Sequence, residues 1–185
     1  MIMPYLIAAV VLIGALCLLD LLLTVGLVKR LRAQQAPRPS ANGFAHDGML
    51  PPGGIVGAFE TRTIDGRSLH RRDLGTGTVV VFLSPGCPPC HRLLPRVAAA
   101  LGATPAIEAV AVVTGGMDGD PDTEQLLKEL GPVARVVHEP GTGPVTEAFA
   151  ARAFPIMCRV RAVGDELVVE DVGEHVLPTP APATR

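Results

Sequence analysis

Aromatic residues are scarce in this chain: 185 residues include no tryptophan, one tyrosine and five phenylalanines. Net charge is scarce too, at −2. A near-neutral chain without a basic stripe or interleaved aromatics lacks the footprint of nucleic-acid binding, so no nucleic-acid partner is expected. The four cysteines are too few and too unevenly spaced for a disulfide-stapled scaffold. There is no internal repeat, no second C-x-x-C and no H-x-x-x-H pair. A structural zinc site would have to gather its ligands from scattered residues, and no metal is expected.

Apolar residues are abundant at the front. Tyr5 to Val28 reads YLIAAVVLIGALCLLDLLLTVGLV, apolar except for Asp20 and Thr24. A helix needs about 20 such residues to cross a bilayer. A cleaved signal peptide would want a basic start, a shorter apolar core and a small-residue cleavage site. No basic side chain precedes Tyr5, and Leu16 stands where a lipoprotein site at Cys17 needs a small residue. We read residues 1–30 as an uncleaved transmembrane anchor. Asp20 costs about 2.5–3.5 kcal/mol at mid-membrane; its place in the C-terminal half of the span suits a protonated or interface-reaching side chain. Cys17 reads as a small apolar filler. Lys29, Arg30, Arg32 and Arg38 follow the span, and the positive-inside rule would put what comes next in the cytoplasm.

Residues 31–54 are rich in Pro, Gly and Ala without periodicity, which predicts a flexible linker. Asp65-Gly66 between short alternating segments signals a hairpin over Phe59–Leu69. The β-branched run TVVVFL, Thr78–Leu83, predicts a buried strand. Leu93, Leu94, Val97, Ala98 and Leu101 then fall at helical spacing over 88–101. Ile107–Thr114 and Val133–His138 read as strands. Pro121–Leu130 reads as a helix opened by Asp122 and stopped by Gly131-Pro132, and Pro144–Arg152 as a short helix. Ile156–Val163 and Glu166–Val172 flank Gly164-Asp165 as a second hairpin. Residues 174–185, with three prolines, read as a disordered tail. Strands alternating with helices, closed by a hairpin, make an α/β domain with a mixed sheet over 55–173.

Cys87-Pro88-Pro89-Cys90-His91 carries the chemistry. Zinc lacks a second ligand pair. C-x-x-C-H fits c-type haem attachment in its letters, but here it follows a buried strand in an α/β setting. A redox dithiol explains the setting best. Cys87 falls at the N-cap or first turn of the helix, where free N–H groups and the macrodipole stabilise a thiolate. Pro88 and Pro89 suit a helix start. Cys90 lies one turn on and closes the ring.

These residues resemble the thioredoxin superfamily, and in it the membrane-anchored TlpA-like thiol-disulfide oxidoreductases, including the methylamine-utilisation accessory type. GAFETRTIDGRSL is similar to that group's N-terminal hairpin, and VVVFLSPGCPPC to its strand and active-site turn. Pro95, five residues after Cys90, matches a proline inside the active-site helix, and AFPIMCRV matches the cis-proline segment. The resemblance implies a thioredoxin-like mixed sheet flanked by helices, following the N-terminal transmembrane helix. It implies Cys87 as attacking thiol, Cys90 as resolving thiol, and Pro155 as the cis-proline. Phe154, Pro88 and Pro89 would line the substrate groove. Gly86 stands where the family has tryptophan, and Val81 where thioredoxin has a buried acid that assists proton transfer.

The expected activity is thiol–disulfide exchange with protein thiols and disulfides, as a reductase of exported proteins such as apocytochromes, recharged by an unidentified redox partner. No cofactor beyond the cysteine pair is expected. A tethered assembly factor with a vestigial dithiol, and a c-type haem protein, remain as other readings. The resemblance implies an extracytoplasmic domain at the membrane; we adopt that location against the charge rule. His91 is a candidate to tune the thiolate or relay protons. Cys158 reads as buried and inert, and Asp118, Asp120 and Asp122 as a turn, since the downstream glutamate of a calcium loop is missing.

Overall fold

Five residues in a row, Val79–Leu83, are buried on both faces, as a β-branched run between two helical layers requires. This strand is the centre of the domain in a computed structural model that describes residues 48–178. The elements are β1 (Glu60–Arg62), β2 (Ser68–His70), β3 (Val79–Leu83), α1 (Pro88–Gly102), β4 (Ala109–Thr114), α2 (Pro121–Leu130), β5 (Arg135–Glu139), α3 (Pro144–Ala148), β6 (Ile156–Val163) and β7 (Glu166–Val172). The main sheet has the order β5-β4-β3-β6-β7. β3 pairs in parallel with β4, and β4 with β5, while β6 and β7 run antiparallel. β1 and β2 form a separate hairpin around Asp65-Gly66.

Alternation along β3 splits the core in two. Val79, Val81 and Leu83 face α1 and α2, where Leu93, Leu94, Val97, Leu101, Leu126 and Leu130 close the layer. Val80 and Phe82 face the other way, onto Phe149, Phe59 and Leu69. Phe149 is fully buried, its ring centroid 5.4 Å from Phe82 and 6.3 Å from Phe59. Four of the chain's five phenylalanines (Phe59, Phe82, Phe149 and Phe154) lie in or against this one layer. The scarcity of aromatics is thus concentrated packing on one side of the sheet.

Several boundaries differ from the sequence reading. The end of the expected linker packs on the domain: Met49 is buried, Leu50 N donates to Phe149 O at 3.0 Å, and Gly53 N to Val169 O at 2.8 Å. The start of the expected tail packs as well, through a 3₁₀ turn at Glu174–Val176 with Val176 fully buried. The packed domain is therefore wider than 55–173 at both ends. Pro-rich composition predicted loop backbone there and could not reveal the apolar anchors in it. The α2 N-cap is Asp120, whose carboxylate accepts from Thr123 N at 3.0 Å; Asp122 sits inside the first turn. The helix expected over 144–152 stops at Ala148, because Ala150 takes a left-handed φ of 50° and Ala151 N turns back to Thr146 O. The expected anchor at 1–30, with Asp20 and Cys17, lies outside the described residues, as do 31–47 and 179–185. Among the described residues, no helix is long and apolar enough to cross a membrane.

Truncating Phe149 to alanine removes the ring that joins β3, α3 and the N-terminal hairpin. The expected loss is about 3–5 kcal/mol, read from the urea midpoint. A loss under about 1 kcal/mol, the scale of an ordinary surface change, would show that this layer does not hold the domain.

Candidate functional site

Cys87 is the N-cap of α1, with extended φ −114° and ψ 101°. The first amides of a helix have no carbonyl partner inside it. Pro88 and Pro89 occupy the first two helical positions and contribute no N–H at all. The first donor beyond the cap is therefore Cys90 N. It lies 3.3 Å from Cys87 Sγ and 2.9 Å from Cys87 O. His91 N follows, 3.3 Å from Cys87 O. The two prolines thus leave the sulfur the first free donor of the helix. Cys87 and Cys90 are joined as a disulfide with Cα atoms 5.3 Å apart. Their exposure differs: Cys87 is half-buried, whereas Cys90 is wholly buried against Val81, Leu83, Leu93 and Leu94.

The second wall comes from β6. Ile156 pairs with Phe82 at the C-terminal end of β3. This register brings the residues before β6 beside the residues after β3. Phe154-Pro155 is there, joined by a cis peptide bond. Phe154 O lies 3.4 Å from Cys87 Sγ. In the disulfide the sulfur has no proton to donate; in the thiol form the same contact becomes an S–H···O hydrogen bond. Cys87, Cys90, Phe154 and Pro155 are thus brought together, with Pro88 exposed and Pro89 half-buried on the same rim.

A third wall was not foreseen from the sequence. The loop after β4, GGMDGDPD, packs on Pro85: a Cβ on Gly116 would stand 2.9 Å from Pro85 Cγ and would collide with Thr123 Oγ1. Met117 next to it is 77% exposed. His91 reaches across the turn to Pro85 O at 2.6 Å, with Asp122 Oδ2 at 3.9 Å. The double glycine was the sequence signal for close backbone approach, but the partner it approaches was not readable.

The acids of that loop serve the turn. Asp120 caps α2, and Asp118, 94% exposed, stands 3.3 Å from His138 Nδ1. Among the described residues no group of three or more His, Cys, Asp or Glu side chains is placed to hold a metal ion. Cys158 pairs with Val80 and lies with it in the layer opposite Cys90. The sheet itself separates this thiol from the dithiol, and burial pushes the Cys158 thiol well up, keeping it protonated. In the native reduced protein at pH 8, iodoacetamide is expected to alkylate Cys87 and leave Cys158 unlabelled until denaturant is added. Native labelling of Cys158 at a rate near that of Cys87 would contradict its place in the core.

No protein-family model matches the chain, and no curated protein matches it. Among solved structures, it is similar to the thioredoxin domain of a thiol-disulfide oxidoreductase from Bacteroides vulgatus. That match has 20% identity and a TM-score of 0.52, and covers 69% of this chain and 93% of the other. It is also similar to a protein of Chlorobium tepidum provisionally assigned as thiol:disulfide interchange protein DsbE. Here identity is 20% and the TM-score 0.50, over 67% of this chain and 85% of the other. The domain has the thioredoxin-like fold, and it carries a C-x-x-C disulfide at the N-terminus of its first long helix.

Proposed function

We propose that this protein is a membrane-tethered thiol-disulfide oxidoreductase that reduces disulfides in exported proteins, apocytochromes among them. The observation that carries the exchange chemistry is the unequal Cys87–Cys90 pair at the helix N-terminus. One sulfur is half-exposed and faces an amide donor; the other is buried behind it. In the reduced protein, the Cys87 thiolate attacks one sulfur of a substrate disulfide and the other substrate sulfur leaves as a thiolate. Cys90, deprotonated, then attacks Cys87 Sγ. The second substrate thiolate leaves, and the Cys87–Cys90 disulfide is formed. Two electrons have passed from protein to substrate, and a redox partner with a dithiol restores the starting state.

A substrate-binding role for Pro155 and Phe154 is supported by their position beside the dithiol. Phe154 O lies against the attacking sulfur, so an extended substrate lying beside it would bring its own sulfur within reach of Cys87. Pro88 and Pro89, exposed and half-buried next to Cys87, belong to the proposed groove. No cofactor is required beyond the cysteine pair. The tether rests on the apolar run Tyr5–Val28. The extracytoplasmic location rests on the resemblance to the membrane-anchored TlpA-like oxidoreductases, against the basic residues that follow the run.

Cys87→Ser is expected to bring insulin-disulfide reduction to background. Cys90→Ser should also stop turnover, while accumulating a mixed disulfide on Cys87 visible on a non-reducing gel. Full activity of Cys87→Ser in the cell would instead support a tethered assembly factor, and a Soret band in the purified protein would support haem attachment. Equilibration with glutathione sets the direction: a potential near about −270 mV fits a reductase and one near about −120 mV an oxidase. For location, a membrane-impermeant maleimide applied to intact cells after mild reduction should label Cys87. Labelling only after lysis would put the domain in the cytoplasm.

A further inference from the structure

We propose that His91 is a positioning residue for Cys87, acting as a latch on the Pro85 carbonyl. This builds on the exchange reading above, since a latch matters only if Cys87 reacts. His91 Nε2 lies 2.6 Å from Pro85 O. A carbonyl oxygen only accepts, so Nε2 carries the proton and donates. That contact spans the cysteine turn: His91 follows Cys90 directly, and Pro85 is two residues before Cys87.

The need for a latch follows from Gly86. It is exposed, and a Cβ built there would meet nothing within 4 Å. Gly86 therefore has no side chain to hold it and nothing packed where one would stand, and glycine's dihedrals are the freest of any residue. It is the only residue between Pro85 and the N-cap. Pro85 itself is well held: it is buried, its φ is set by its ring, and Gly116 packs beneath it. What the ring does not set is the plane of the Pro85–Gly86 peptide. That plane is one rigid unit, so fixing its oxygen fixes it whole. The His91 hydrogen bond holds this plane from the first turn of α1, so the two sides of Gly86 are kept at a fixed span and its φ and ψ have less room. The same residue stands on the first turn of α1, which carries Cys90 N to Cys87 Sγ. One side chain thereby ties the strand side of the turn to the helix side.

Asp122 Oδ2, 3.9 Å from Nε2, lies beyond hydrogen-bond reach and adds charge to the neighbourhood without replacing the carbonyl. The latch is thus a matter of one donor to one acceptor, which a glutamine amide can imitate.

The test uses the full chain in detergent, reduced, with iodoacetamide at pH 7 and mass spectrometry to follow alkylation of Cys87. His91→Ala is expected to slow it by about fivefold to tenfold, the scale of one net hydrogen bond. His91→Gln, which keeps an N–H donor, should recover most of the rate. Gly86→Ala placed in the His91→Ala background should recover part of it by restricting residue 86; its backbone and surroundings accept a methyl group. An unchanged rate in His91→Ala overturns the latch. So does a His91→Gln rate as low as that of His91→Ala, which would assign the effect to the imidazole itself. Alkylation needs no substrate protein, so these rates judge the latch even if insulin reduction shows the exchange reading to be wrong. Should His91→Ala fold poorly, the comparison of His91→Gln with the wild type decides: a loss above tenfold with an unchanged melting temperature overturns the hydrogen-bond assignment.

Discussion

The amide of Cys90 pointing at the sulfur of Cys87 is the contact around which the described domain is arranged. It requires a helix that begins at Cys87 and nowhere else. Two prolines make that start sharp, since each has its φ already near the helical value and no N–H to satisfy. It also requires that the helix not slide along the sheet. Leu93, Leu94, Val97 and Leu101 provide this by packing on the odd-numbered side chains of β3. Each such side chain, fully buried, contributes about 1.5–3 kcal/mol, more than the single hydrogen bond they position. The chemistry therefore rests on an apolar layer that takes no part in it.

The opposite layer has a different task. Phe82 and Phe149 hold α3 and the N-terminal hairpin against the sheet. Below α3, the buried Glu139 carboxylate accepts from Val145 N at 2.8 Å, Thr146 N at 3.1 Å and Thr146 Oγ1 at 2.5 Å. A buried charge is tolerable only when its lone pairs are met in this way, and here they are met by the first amides of a short helix. A Cβ on Gly143 would collide with this carboxylate, so the glycine is the space the network needs.

The local elements were legible because their causes are local. A β-branched run became β3, an apolar helical stripe became α1, and Gly164-Asp165 became the β6–β7 turn. The dithiol was read from its spacing and setting; the cis Phe154-Pro155 pair was found only by resemblance. What escaped depends on relations between distant segments. Cys158 shows the point. Alternation says which β6 residues share a face, but only the pairing of Val80 with Cys158 says that this face is the one away from Cys90. The cap of α2 moved from Asp122 to Asp120 for a similar reason: several acids in a row are each competent, and backbone φ and ψ select one. Met49 and Val176 lie in stretches whose composition reads as loop, and each is buried only because an apolar hollow happens to meet it.

Val81 leaves a constraint on the proton of Cys90. Thioredoxin places an acid at that position to assist the resolving cysteine; here it is a fully buried aliphatic side chain. Val81, Leu83, Leu93 and Leu94 belong to the same apolar cluster as Cys90. In the proposed exchange the Cys87 sulfur is bonded in the mixed disulfide when Cys90 reacts, so the thiolate that has just left the substrate is a base at hand for Cys90. A thiolate leaving the substrate is a base of suitable strength, with a reference pKa of about 8.5, and it is released beside Cys87 in the step before Cys90 must react. Under the proposed exchange, deprotonation of Cys90 by that thiolate would couple it to cleavage of the substrate bond.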